Sequence, residues 1–215
     1  MLTKLLLGFT LLGEEWVLWL LIGLSVVSVA IMIERAVFFL TNSVADSDEL
    51  MKRLAAGDVE FAKKAVEGKR GMEASVVREA VNAQEKGAEA VEELVNATIA
   101  REKLRYDSWL AVLGTLGNNA PFIGLFGTVL GIIRAFADLA ASAAGGKSNP
   151  ASVMSGISGA LVATAVGLAV AIPAVMGFNL FQRWLKKISS RATALAHAWQ
   201  SHLKSRAHAE QKKAA

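Results

Sequence analysis

The sequence predicts an all-α integral membrane protein with three transmembrane helices and long cytoplasmic helical extensions. Three observations carry this. Hydrophobic residues make up 53% of the 215 and charged residues only 20%, against roughly 45–50% and about 25% in an ordinary soluble domain. The apolar excess is gathered into three uncharged blocks rather than spread along the chain. Basic residues crowd one side of the last block, which gives the chain an orientation as well as a class.

The first block begins at Trp16 and runs about 18 residues to Ile33, near the shortest stretch that spans a bilayer as helix. Ahead of it, the leucine-rich residues 1–13 give way to Glu14 and Glu15. A cleavable leader would show a basic start, one short apolar core and small residues at a cleavage site. The resumed, longer apolar run instead predicts an interfacial helix within 1–15 and an uncleaved first span over 16–40. Trp16 and Trp19 then serve as interface anchors. From 41 to 107 the composition turns polar and slightly acidic. Leu50, Leu54, Phe61 and Ala65, then Val91, Leu94, Val95 and Thr98, recur at helical spacing, punctuated by Gly57, Gly68 and Gly71. This predicts short amphipathic helices. They hold too little apolar surface to close a core alone, and pack on one another and on copies of themselves.

The second block, residues 108–133, is about 26 residues, or roughly 39 Å of helix. The second span is set at 108–136. A small-residue connector over 137–150 follows, read as a turn ending at Asn149 and Pro150. The third span, 151–182, would be about 48 Å long as helix, more than the ~30 Å hydrocarbon core, so it projects beyond the bilayer. The tail over 183–215 carries Arg183, Lys186, Lys187 and Arg191 close to the span and a single acid, Glu210. The positive-inside rule puts that tail in the cytoplasm. Three crossings then place the 41–107 region in the cytoplasm and residues 1–15 and 137–150 outside: N-out, C-in. The tail cations are suited to anionic lipid. The net charge of +4 therefore reflects membrane topology, not a nucleic-acid partner.

Enzyme classes are excluded by what is missing. The chain has no cysteine, and its three histidines, His197, His202 and His208, lie late in the tail at spacings unsuited to one metal; all three are assigned to solvent. There is no phosphate loop, metalloprotease helix, nucleophile elbow or dinucleotide fingerprint. Gly145-Gly146-Lys147-Ser148 lacks the upstream glycine and strand of a phosphate-binding loop. No enzyme activity, cofactor or metal is expected.

The spans hold two informative patterns. Gly114, Gly117, Pro121, Gly124, Gly127, Thr128 and Gly131 fall three or four apart, on one side of a helix. Gly156, Gly159, Ala160, Ala163, Thr164, Gly167, Ala171, Ala174 and Gly177 repeat the pattern in the third block. Small faces let spanning helices approach closely. They read either as packing between neighbouring helices or as a narrow pore wall or groove for another helix. The second pattern is an absence: no ionisable residue lies within 108–133 or 151–182. Hydroxyls and amides remain, including Thr115, Asn118, Asn119, Thr128, Ser155, Ser158 and Thr164. A chain so built cannot relay protons alone, and any carboxylate must come from elsewhere. Pro121 and Pro173 interrupt the spans as kinks.

The run NNAPFIGLFGTVLGIIRAF at 118–136, the run ISGALVATAVGLAVAIPAVMGFN at 157–179 and the segment MIERAVFF at 32–39 resemble the MotA/TolQ/ExbB proton channel family. The three-span layout is similar to its ExbB and TolQ members. The resemblance implies a homopentamer in the bacterial inner membrane, its second and third spans lining a channel around a dimer of single-span partners. Those partners are ExbD-, TolR- or MotB-like, and their membrane aspartate carries protons. It implies that Thr128 and Thr164 face that aspartate, that Gly124, Gly127, Gly131, Gly159, Ala160, Ala163 and Gly167 line the channel, and that Pro121 and Pro173 match the family's prolines. One departure stands out: Gly159 occupies the place where ExbB and TolQ usually carry a glutamate. The implied function is a proton-channel (stator) subunit of a motor that works on the cell envelope. The alternative is a non-conducting scaffold that clamps a single-span partner.

Overall fold

Every regular element of the described residues, 15–42, 47–144 and 150–214, is helical in the computed structural model. The helices are α1 (Glu15–Thr41), α2 (Ser47–Ala55), α3 (Val59–Val66), α4 (Met72–Asn82), α5 (Ala88–Asp107), α6 (Leu110–Ala144) and α7 (Pro150–Ala214), with a 3-10 turn at Gln84–Lys86. The interfacial helix expected in residues 1–13 lies outside the described residues. Three helices are long and apolar enough to cross a membrane, Glu15–Thr41, Leu110–Ala143 and Val153–Lys212, with mean hydropathies of 2.5, 1.7 and 2.2.

Helix boundaries follow local chemistry. Asp58 caps α3 by accepting from the Phe61 amide at 3.0 Å. Helix α2 opens on Asp48 and Glu49 and closes on Lys52 and Arg53, matching its dipole, and Arg53 Nε donates to Glu49 Oε1 at 2.9 Å. Pro150 begins α7, where its missing N–H costs nothing. The connector differs from expectation. Helix α6 continues to Ala144, through most of the stretch read as a turn. The alanines at 137, 140, 141, 143 and 144 explain this, since alanine is the strongest helix former and a small side chain is no breaker. The remaining connector positions, 145–149, lie outside the described residues.

The chain divides into two compact units, and α1 and α7 each contribute to both. The first comprises the early part of α1, most of α6 and α7 up to Asn179. Its interior holds Val17, Leu21, Ala120, Leu130, Val170 and Ala171, with Trp16, Ile123 and Val166 against them. Many large side chains point outward: Trp19, Val26, Ile33, Phe122, Leu125, Phe136, Leu161, Ile172 and Met176 are all exposed. Small residues inside and large apolar residues outside invert the pattern of a water-soluble domain. The arrangement is stable where the surrounding solvent is itself apolar.

The second unit comprises Arg35–Leu110 and Leu180–Ala215. Leu50, Leu54, Val66, Val76, Val77, Val81, Val91 and Val95 are buried together with Leu195 and Trp199 from late α7. The basic stretch after the third span therefore also contributes apolar side chains to this core. Phe181, Leu185, Ile188, Ala192, Leu195 and Trp199 are buried at alternating spacings of four and three, the mark of one apolar helix face. Trp199 Nε1 donates to the Ala80 carbonyl at 2.9 Å. His202 is also not a solvent residue. Its ring stacks on Trp199 with centroids 5.5 Å apart and lies over Gly57, where a Cβ would come within 2.2 Å of it. Gly57 thus needs its missing side chain twice, for that contact and for its φ of +81°.

Residues 35–39 pack within this same unit. Arg35 is buried, donates from Nη1 to the Tyr106 carbonyl at 3.5 Å and lies over the Phe38 ring at 4.5 Å. Phe39 sits among Tyr106, Phe181 and Trp184 at centroid separations of 5.2, 5.6 and 5.9 Å. The Tyr106 hydroxyl accepts from the Met72 amide at 3.3 Å. Burial pushes that hydroxyl above its usual pKa of 10.0, with Glu102 and Glu73 adding to the rise and the Met72 amide and Arg105 opposing it. A raised folded-state value means that Tyr106 contributes stability in full below its unfolded pKa and loses it as pH rises through the folded one. Tyr106 is the single tyrosine, so tyrosinate absorbance reports it alone. An alkaline titration is expected to show ionisation above the ordinary tyrosine range, coupled to loss of helical signal. A midpoint at or below about 10 with the fold intact would contradict this packing.

Candidate functional site

The small-residue faces of α6 and α7 meet within one protomer. A Cβ on Gly124 would lie 2.7 Å from the Ala163 carbonyl oxygen and 3.1 Å from the Cα atoms of Gly167 and Thr164. A Cβ on Gly167 would lie 2.8 Å from the Ala120 carbonyl and 3.0 Å from the Gly124 Cα. Real Cβ atoms do not approach backbone so closely, so glycine is what permits this contact. Gly114 faces Phe178, Gly117 faces Val175, Gly127 faces Ala163 and Val17, and Gly156 faces Ala135. Partners on α7 fall in number as those on α6 rise, so the two helices run antiparallel along the whole stripe.

Of the expected channel-lining residues, Gly124, Gly127, Gly131, Ala160, Ala163 and Gly167 are buried, and only Gly159 is half-exposed. The contacts at Gly124, Gly127, Ala163 and Gly167 are those of helix packing inside one chain, the first of the two readings that the stripes allow. In this chain they bring the two helix backbones together.

Thr128 and Thr164 come together at this contact. Their hydroxyl oxygens are hydrogen-bonded to each other, and either can donate. Thr128 is buried and also lies 3.2 Å from the Gly124 carbonyl, to which its hydroxyl donates. When Thr128 donates to Gly124, Thr164 donates to Thr128, and the half-buried Thr164 oxygen keeps acceptor capacity for a further group. Rotation of the two hydroxyls reverses that polarity without moving a heavy atom. The pair can therefore accept from a neutral carboxylic acid or donate to a carboxylate, and the apolar segments around it, 108–133 and 151–182, hold no charge of their own.

Other polar residues of the spans follow the ordinary fate of isolated hydroxyls. Thr115 donates to the Ala111 carbonyl at 2.8 Å, and Asn119 Nδ2 donates to the Thr115 carbonyl at 2.8 Å. Pro121 and Pro173 both lie inside unbroken helices. Each removes the amide that would bond the carbonyl four residues earlier, at Gly117 and Ala169. Sequence reasoning missed the bond from Gln182 Nε2 to Asp107 Oδ1 at 2.9 Å, which ties α7 to the end of α5. Both residues sit at the polar ends of apolar blocks, and no spacing rule links them.

Residues 64–194 match the MotA/TolQ/ExbB proton channel family. The chain is similar to biopolymer transport protein ExbB of Neisseria gonorrhoeae, with 35% identity over 157 residues, 73% of this chain and 70% of that protein. It is 34% identical to ExbB of Salmonella typhimurium over 177 residues, covering 76% of this chain and 70% of the relative. To the Tol-Pal system protein TolQ of Pseudomonas aeruginosa it is 37% identical over 120 residues, 56% of this chain and 51% of that one. With three helices fit to span a bilayer and a matched stretch that covers most of α3 to α7, the chain belongs to the MotA/TolQ/ExbB proton channel family and is an ExbB/TolQ-like member of it.

Proposed function

We propose that this multi-pass inner-membrane protein is the proton-channel (stator) subunit of a motor that turns proton motive force into mechanical work on the cell envelope. The family role in energy transduction rests on the comparisons. The finer reading rests on one observation, the Thr128–Thr164 hydroxyl pair set in a wall without ionisable groups. Such a wall cannot relay protons alone, but it can solvate a titrating carboxyl brought by another chain.

In this reading five copies surround a dimer of ExbD/TolR/MotB-like single-span subunits, and the aspartate of each partner passes the threonine pairs in turn. The close α6–α7 contact supports the wall from behind, Gly159 lines it, and Pro121 and Pro173 bend it. The topology is N-out and C-in, with 41–107 and 183–215 in the cytoplasm and 1–15 and 137–150 in the periplasm. The cations after the third span hold anionic lipid. No covalent chemistry is performed by this chain.

The chain has no cysteine, so the placement is testable without background thiols. Thr164→Cys is expected to form a disulfide with a cysteine placed one helical turn from the partner's membrane aspartate. Ile172→Cys, on an exposed part of the same helix, is expected not to. The reverse pattern would remove Thr164 from the partner-facing wall. One observation favours the scaffold reading: Gly159 offers no carboxylate where relatives of the ExbB and TolQ type usually have one. A scaffold would give the same cross-link without ion flow.

A further inference from the structure

In the second unit, the last turn of α1 and the start of late α7 enclose a hollow of about 180 Å³ lined by Phe39, Leu40, Trp184, Lys187, Ile188 and Arg191. Its character is divided. Phe39 and Ile188 are buried and form an apolar floor, while Leu40 is 69% exposed and carries the apolar surface outward. Trp184 packs edge-on against Phe181 and at 5.9 Å from Phe39, which holds its ring at the rim. Lys187 and Arg191 are four residues apart, so their side chains rise on one face of α7. None of the lining residues is acidic, and among the described residues neither cation is in an ion pair.

The place of the hollow along the sequence gives its surroundings. Residues 151–182 carry no charge, and cations begin at Arg183, so Trp184 stands where the apolar segment gives way to a basic one. Tryptophan is favoured at that level of a bilayer, its ring apolar and its N–H wet. A hollow with an apolar floor, an exposed leucine leading outward and two unpaired cations four residues apart matches an amphiphile with an anionic head. The guanidinium of Arg191 can take a phosphate through two parallel N–H donors, and Lys187 adds a point charge.

We infer that this hollow is a binding site for one anionic phospholipid, its phosphate on Lys187 and Arg191 and the start of an acyl chain along Leu40 and Trp184. The inference sharpens, and rests on, the reading that cations after the third span hold anionic lipid; it is independent of ion conduction.

The test uses the full chain in phosphatidylcholine bilayers doped with a minor fraction of brominated lipid, which quenches tryptophan on contact. The Trp184 signal is the difference between the native chain and Trp184→Phe. Brominated phosphatidylglycerol is expected to quench Trp184 several-fold more than brominated phosphatidylcholine at the same fraction. The double variant Lys187→Gln/Arg191→Gln is expected to lose that preference, so that the two brominated lipids quench equally, since each cation at a membrane surface adds to the attraction for an anionic head. Lys187→Arg/Arg191→Lys is expected to keep it. Equal quenching by the two lipids in the native chain would overturn both the site and the wider lipid reading. A preference that survives in the glutamine variant would leave the wider reading standing and overturn the site. No quenching by either lipid would mean that protein covers the hollow, and displacement by soluble glycerol phosphate would make the ligand a free phosphate; each overturns the proposal.

Discussion

Gly167→Leu is expected to prevent stable assembly of the protein. The first atom that the substitution adds would already lie 2.8 Å from the Ala120 carbonyl and 3.0 Å from the Gly124 Cα, both backbone atoms of α6 that cannot rotate away. Overpacking a close contact costs roughly 1–3 kcal/mol where side chains can yield. Here two backbones must part, so the cost is expected at about 3 kcal/mol or more on that scale. Gly124→Leu meets the Ala163 carbonyl in the same way, at 2.7 Å. The control is Gly23→Ala, since nothing lies within 4 Å of a Cβ there. Its expected change is within about 1 kcal/mol, the helix-propensity difference between the two residues. Thermal unfolding in detergent, with the size of the assembly followed by chromatography, distinguishes them. An unchanged assembly and melting temperature in Gly167→Leu would contradict the backbone contact.

Thr164→Val is expected to leave assembly intact and to cut partner-dependent proton flux. Valine keeps the branched shape and loses the hydroxyl, while Thr128 can still donate to the Gly124 carbonyl. What disappears is the group able to solvate a carboxylate at the wall. A hydrogen bond to a charged group is worth about 1.5–3 kcal/mol, or roughly ten- to a hundred-fold in rate if it is made only during proton transfer. Thr164→Ser keeps the hydroxyl and is expected to keep most of the flux. Normal flux in a normally assembled Thr164→Val complex would take the threonine pair out of the ion path.

These two positions also mark what could be read from sequence. The helical spans and the small stripes were legible because hydropathy and a three-to-four spacing are one-dimensional signals. Which glycine met which backbone was not, since pairing depends on the antiparallel register of α6 and α7. Thr128 and Thr164 stood out by resemblance, but their hydrogen bond is a property of that register. Late α7 carries two signals at once. Its charges mark a basic tail, and Phe181, Leu185, Ile188, Ala192, Leu195 and Trp199 form a periodic apolar face beside them. Phase, not net charge, carried the information. The extension of α6 to Ala144 shows the same lesson in miniature, because a run of small residues suggests a turn while its alanines favour helix.

The close contact and the threonine pair also fit together physically. A hydroxyl pair can serve a titrating group on another chain only if its geometry is held against the forces of a moving partner. Glycines that allow backbone contact remove the side-chain slack through which the two helices could otherwise shift. In the proposed motor, Gly124 and Gly167 thereby position Thr164 rather than line a channel.

The most direct test is proton flux into liposomes containing this chain with and without its co-expressed single-span partner. Flux is expected only with the partner, and is expected to vanish when the partner's membrane aspartate is replaced by asparagine. No flux through an intact, correctly inserted complex under an imposed proton gradient would contradict the motor and leave the scaffold, with the missing carboxylate at Gly159 as its physical basis.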